Sequence, residues 1–205
     1  MKRALKQLLL RAGYDLHRAK PTFIPFIRHY EFPGCAFNFW IANQDATWWY
    51  GEEPWRVSGE FKELARLVKK GDRVLEIGSH HGFTALIFAN FVGPAGRVVG
   101  VEAHPWNAMI EAAQMGLNSS LKNLQFINAA GSDRDGKVRV VAENHNSSVG
   151  VGSAIATVEI PARTGDSLDR EFGPFNFLKI DVEGYETTVL KGVQRPSAKT
   201  AKIGH

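Results

Sequence analysis

One cysteine, Cys35, is present in 205 residues. No disulfide can therefore form within the chain, which suits a reducing compartment. No window approaches the roughly 18 apolar residues that suggest a membrane span. The early apolar cluster Leu8-Leu9-Leu10 is too short for the core of a secretory leader. A strong charge of one sign is missing as well: Lys and Arg number 25 and Asp and Glu 21, a net charge of +4. Most of that excess sits at the ends. Lys2, Arg3, Lys6, Arg11, Arg18 and Lys20 face only Asp15 near the start, and Lys191, Arg195, Lys199 and Lys202 lie near the close. Such a balance is weak ground for nucleic-acid binding, and no nucleic acid is expected as a partner. A cytoplasmic protein is the expectation. Repeats and long low-complexity linkers are lacking too.

What remains is ordinary for a soluble globular chain, with 44% hydrophobic and 22% charged residues and enough length for one sizeable core. Residues 1–19 show a helical pattern with Leu5, Leu8, Leu9 and Leu16 toward one side. A helix packed on the domain is the preferred reading; the other is an interfacial helix making weak peripheral contact with anionic lipid. Residues 20–57 hold Trp40, Trp48, Trp49 and Trp55, and Ala36–Ile41 suits a short strand. These aromatics either line a substrate cleft or cap a sheet.

From Ser58, a plausible helix N-cap, strands and helices alternate. Phe61, Leu64, Ala65 and Val68 make one apolar stripe of a helix running to about Lys70, with Gly71 as its stop. A strand over 73–78 leads to a well-buried helix over 82–92, the turn Gly93-Pro94-Ala95-Gly96 and a strand over 97–103. Pro105 opens the next helix, whose buried stripe is expected to be Trp106, Met109, Ile110, Ala113 and Leu117. Strands follow at Leu124–Ala129, Lys137–Ala142, Thr157–Ile160 and Phe175–Val182, then a short helix from Gly184 to Lys191. The fold class is α/β: Rossmann-like, a mostly parallel sheet with helices on both faces. The polar, basic tail after residue 193 contains no apolar strand, so the final strands of such a sheet are expected to be missing. The Asp181 strand would then be an edge inviting another chain, and a homodimer is one expected outcome. Three regions result: an N-terminal helix and aromatic extension over 1–57, a core over 58–193 and a tail over 194–205.

The chemistry centres on the turn after the 73–78 strand. Its glycines are Gly78 and Gly82, with Ser79, His80 and His81 between. A dinucleotide fingerprint needs Gly-x-Gly-x-x-Gly and a P-loop needs Gly-Lys-Ser/Thr; both are absent. A nucleoside without phosphates, such as S-adenosylmethionine, is served better. Glu102 ends the next strand 24 residues past Gly78, close to the spacing of about 20 expected for a ribose-binding acid. Its carboxylate has acceptor capacity for two hydroxyls.

Several segments together resemble the FkbM-type methyltransferases of the class I S-adenosylmethionine-dependent fold. They are Glu76–Gly82, Gly93–Val98 leading to Val101–Pro105, Asn118, Asn123, Leu178–Glu186 and Leu190-Lys191-Gly192. The similarity covers about 58–193. It implies S-adenosyl-L-methionine as cofactor and methyl transfer as activity. It implies that Glu76, Gly78 and Ser79 form the methionine-end pocket and that Gly82 allows close packing behind it. By the same likeness, Glu102 holds the ribose and Ala130, Gly131 and Ser132 lie near the adenine. Asp181 would face the methyl group and the acceptor. The chain departs from the family pattern in having Glu76 for a usual Asp and His80 for a frequent Asn.

Methyl transfer from a sulfonium is an in-line displacement that rests largely on positioning. A hydroxyl acceptor also needs a base. Asp181 is the first candidate, followed by His80, His81 and His145; His145 lies in a polar loop over 144–152 suited to a hydroxylated small molecule or sugar. Lys179 projects to the same side of the strand as Asp181, so a simple ion pair is the competing reading. No metal is expected. The alternative function is a decayed, non-catalytic module that binds the cofactor without turnover.

Overall fold

The computed structural model describes residues 23–51, 59–141, 157–194 and 199–202. The expected N-terminal helix, the Ser58 cap, the 144–152 loop and His145 lie outside the described residues. The chain opens with a hairpin, β1 (Phe26–Phe32) and β2 (Cys35–Ile41), followed by helices α1 (Gln44–Tyr50) and α2 (Gly59–Leu67). β3 (Arg73–Ile77), α3 (Phe83–Val92), β4 (Arg97–Glu102), α4 (Pro105–Leu117) and β5 (Leu124–Asn128) are the expected alternating core. The strands expected at 137–142 and 157–160 are β7 (Gly136–Val141) and β8 (Thr157–Arg163), which with β6 (Ala130–Gly131) form a small sheet ordered β6-β8-β7. Then come α5 (Gly165–Phe172), β9 (Phe177–Ile180), α6 (Glu186–Lys191) and β10 (Lys199–Lys202).

The main sheet is parallel in the order β10-β9-β3-β4-β5. The order reverses at β3, which has β4 on one side and β9 on the other. Open parallel sheets bind ligands at the strand carboxyl ends beside such a reversal. β9 is not an edge: β10 pairs with it from Lys199 opposite Phe177 to Lys202 opposite Ile180. The tail was expected to lack a strand because it lacks apolar residues. The pairing runs through the main chain and so does not require them.

Both faces of the sheet are covered. Val74, Val98, Leu124 and Phe177 join one core cluster with α3 and the hairpin. Leu75, Ile77, Val99, Val101, Leu178 and Ile180 join the other, with Leu168 of α5 and Val189 of α6. The inner ring set is aromatic: Phe83 meets Tyr30, Phe39 and Tyr50, each with ring centroids 5.0 Å apart.

Two expectations for helices need correction. α2 ends at Leu67 rather than near Lys70; Leu64 and Val68 are buried, but Ala65 is exposed. The buried face of α4 is shifted by about one residue from the expected stripe. Ile110 is buried, yet Trp106 and Met109 are 45% and 64% exposed. Asn107, Glu111, Gln114 and the following Asn118 point inward instead. The reason is the hairpin. The Gln114 amide accepts from Trp40 N–H at 2.9 Å and donates to the Trp40 carbonyl at 3.0 Å. Asn118 makes the same pair with Asn38, at 2.9 and 2.7 Å. Two amides one helical turn apart thus take the place of a neighbouring strand beside β2.

Candidate active site

The bend after β3 is built by its glycines. Gly78 has φ +88°, a left-handed conformation that favours glycine, and a methyl there would run into the Asp181 carbonyl. The Asp181 N–H donates to Ile77 O at 2.9 Å, so the ends of β3 and β9 touch at this point. The Gly78 N–H donates to Val101 O at 2.8 Å, which ties the bend to β4, and Gly82 N–H closes it onto Ser79 O at 2.8 Å. His80 adopts φ +53°, an uncommon value for a side chain with a Cβ and one that clusters at functional sites.

Glu102 reaches across to this bend. One carboxylate oxygen accepts from His80 N–H at 2.8 Å; the other accepts from His104 N–H at 2.7 Å and the Asn107 amide at 3.4 Å. The residue is 5% exposed. Burial lifts its carboxyl from an ordinary 4.5 to about 7, against the pull of the His104 and His80 N–H groups.

Register explains the next pair. Glu76 on β3 stands opposite Lys179 on β9 and Gly100 on β4. Lys179 Nζ lies 3.0 Å from Glu76 and 3.2 Å from Asp181. Burial alone pulls the lysine down, but Glu76 and Asp181 outweigh it and its pKa is raised, so it stays cationic. Of Glu76, Glu102, Glu111 and Asp181, only Asp181 opens to solvent, with its side chain 30% exposed.

Aromatic rings from α1 pack against the bend. The Tyr50 phenol lies 2.7 Å from His80 Nδ1, and Tyr30 OH donates to the Tyr50 carbonyl. Burial raises the phenol, and Glu76, Glu102, Asp181 and Glu111 raise it further. It therefore stays protonated. The His80 and His81 rings stack at 4.0 Å, and Trp49 lies 4.9 Å from His80.

Glu76, Gly78, Ser79, His80, Gly82, Glu102 and Asp181 thus converge at the carboxyl ends of β3, β4 and β9. The Ser79 hydroxyl turns inward rather than outward: it donates to Glu111 at 2.6 Å. Ala130, Gly131 and Ser132 are buried just past β5, where Ala130 and Gly131 pair with β8. Sequence reasoning missed Tyr50 and Glu111. For Glu111 a signal existed: Asn107, Glu111, Gln114 and Asn118 recur at helical spacing.

A family model described as "Methyltransferase FkbM domain" matches residues 76–203. The chain belongs to the FkbM methyltransferase family. Among solved structures, an FkbM methyltransferase from Methylobacillus flagellatus KT shares 17% identity over 64% of this chain and 32% of its own, with a TM-score of 0.49. A SAM-dependent methyltransferase from Aquifex aeolicus shares 18% over 71% and 61%, TM-score 0.44. Fibrillarin from Aeropyrum pernix, in complex with S-adenosyl-L-methionine, shares 21% over 58% and 37%, TM-score 0.39. The chain thus spans 32% to 61% of these FkbM-like and related proteins. No curated protein matches it. Among the described residues no helix is long and apolar enough to cross a membrane.

Proposed function

We propose that this FkbM-family chain binds S-adenosylmethionine at the bend and transfers its methyl group to a hydroxyl of a small molecule or saccharide. One observation carries the reading: the Glu102 carboxylate at the end of β4 reaches the bend at the carboxyl end of β3 and accepts the His80 N–H there. A nucleoside fits that donor set better than a phosphate does. Three N–H groups already donate to the Glu102 carboxylate, and the oxygen facing His80 keeps acceptor capacity for a ribose hydroxyl, while the bend offers no phosphate cradle. When bound, the sulfonium cofactor supplies an already activated methyl group.

The chain's own residues do the rest. Glu102 holds the sugar, and Glu76 and Ser79 shape the amino-acid end. Asp181, open to solvent, accepts the acceptor's hydroxyl proton at its carboxylate. Lys179 fixes that carboxylate from behind. Entry of the nucleoside requires the Trp49–Tyr50 end of α1 to give way, because Glu102 is 5% exposed. Ala130, Gly131 and Ser132 border the adenine, and the 144–152 loop with His145 contributes to the acceptor site. A binding module without turnover is the second reading, favoured by the ring packing of Tyr50, His80 and His81 at the bend.

Titration calorimetry with S-adenosylhomocysteine tests the first step. Binding by the wild-type chain and its loss in Glu102→Ala support the site; absence of binding by folded protein removes the proposal. Release of S-adenosylhomocysteine with a pool of hydroxylated acceptors separates the readings, since the module yields none.

A further inference from the structure

Glu111 stands in the middle of α4, fully buried, and the transfer chemistry gives it no part. Its Oε1 accepts the Ser79 hydroxyl at 2.6 Å, and its Oε2 has no hydrogen-bond partner among the described residues. Ser79 is itself a hinge point of the bend. Its N–H donates to Val101 O at 3.3 Å and its carbonyl accepts from Gly82 N–H at 2.8 Å. The hydroxyl rests above Gly100 of β4, where an added Cβ would lie 3.0 Å from it. One turn earlier on α4, Asn107 reaches Glu102. The same helix row therefore touches both halves of the cradle.

We propose that Glu111 is the positioning residue of the bend: through the Ser79 hydroxyl it holds Gly78–Gly82 in the shape that receives the nucleoside. This rests on the reading of the bend as the cofactor site. The bond is a strap from helix to turn, at a place where Ser79 has no other side-chain hydrogen bond among the described residues. Burial, with Glu102 and Glu76 nearby, raises the Glu111 carboxyl. The strap needs only one Glu111 oxygen to accept from Ser79. Glutamine supplies the same oxygen at the same length, whereas leucine fills the space and supplies none.

The test compares wild type, Glu111→Gln, Glu111→Leu, Ser79→Ala and the Ser79→Ala/Glu111→Leu double variant. S-adenosylhomocysteine affinity is measured by calorimetry, and exchange of the His80 and Gly82 amides by NMR. Glu111→Gln is expected to bind as wild type, while Glu111→Leu and Ser79→Ala each weaken binding about 10-fold. The double variant is expected to be no weaker than either single one, because both cut the same strap. Amide exchange at Gly82 accelerates in the two single variants and not in Glu111→Gln. The inference is overturned if Glu111→Gln is as damaging as Glu111→Leu, if the losses add, or if Ser79→Ala matches wild type in both measurements. Should Glu111→Leu not fold, Ser79→Ala and Glu111→Gln still decide it. Should wild type itself bind no S-adenosylhomocysteine, the cofactor reading falls and the exchange comparison alone decides the role of Glu111.

Discussion

Lys179 reaches between Glu76 and Asp181 at a place where its register, not its neighbours in sequence, selects its partners. The alternation of β9 already puts Lys179 and Asp181 on one side, so that pairing is legible in the sequence. Glu76 is not, because only the alignment of β3 with β9 brings it opposite Lys179. With the cation removed, the buried Glu76 carboxylate loses the partner it shares with Asp181. Lys179→Met is therefore expected to lower stability by about 3 kcal/mol or more, read by urea unfolding. A loss of under about 1 kcal/mol would mean that the pair is solvated. Glu102 gives a pH signature. Between 4.5 and about 7 the native chain binds more protons at Glu102 than the unfolded chain does. Its contribution to stability accordingly declines as pH rises across that window and is level above it. Relative to Glu102→Gln, wild type is expected to lose about 3 kcal/mol between about pH 4.5 and about pH 7.5. Unfolding curves for both proteins at the two pH values check this; a constant difference between them would refute the burial of the charge.

α4 turns Asn107, Glu111 and Gln114 inward together with Ile110, and Trp106 and Met109 outward, unlike a helix whose buried stripe is wholly apolar. An apolar row at 106, 109, 110, 113 and 117 reads as the buried stripe, and only Ile110 is fully buried. That row cannot reveal the truth, because what α4 meets is the backbone margin of β2. Hydrogen-bond donors and acceptors on a strand call for amides, not leucines. The hairpin itself was half visible: the Ala36–Ile41 strand is β2, while β1 lacks the clean alternation that would mark it. The other core strands and helices fall close to the expected places, because Gly71, Gly82, Pro105 and the Gly93–Gly96 turn punctuate them. Gln114→Leu is expected to cost about 1–3 kcal/mol, since it strands the Trp40 N–H and carbonyl. Trp106→Lys, on the outer face, is expected to stay within about 0.5 kcal/mol of wild type. Thermal melts of the two side by side test the orientation of α4; the opposite ranking would restore the expected stripe.

Across the whole molecule, the hairpin lies on α3 and α4, these lie on the sheet, and β10 closes the β9 side of the sheet. Lys199-Thr200-Ala201-Lys202 carries two lysines, a composition that discourages strand-to-strand association at an edge. Removing residues 195–205 uncovers β9, whose Phe177, Leu178, Lys179 and Ile180 are all buried. Light scattering is expected to show concentration-dependent growth for the shortened chain and not for the full one. Equal behaviour of the two would mean that β10 shields nothing. The margin of β2 beside α4 is sealed by different means. Because Gln114 and Asn118 occupy the main chain of Asn38 and Trp40, those two rungs are closed to a foreign polypeptide that would begin a ladder there, as in fibril growth.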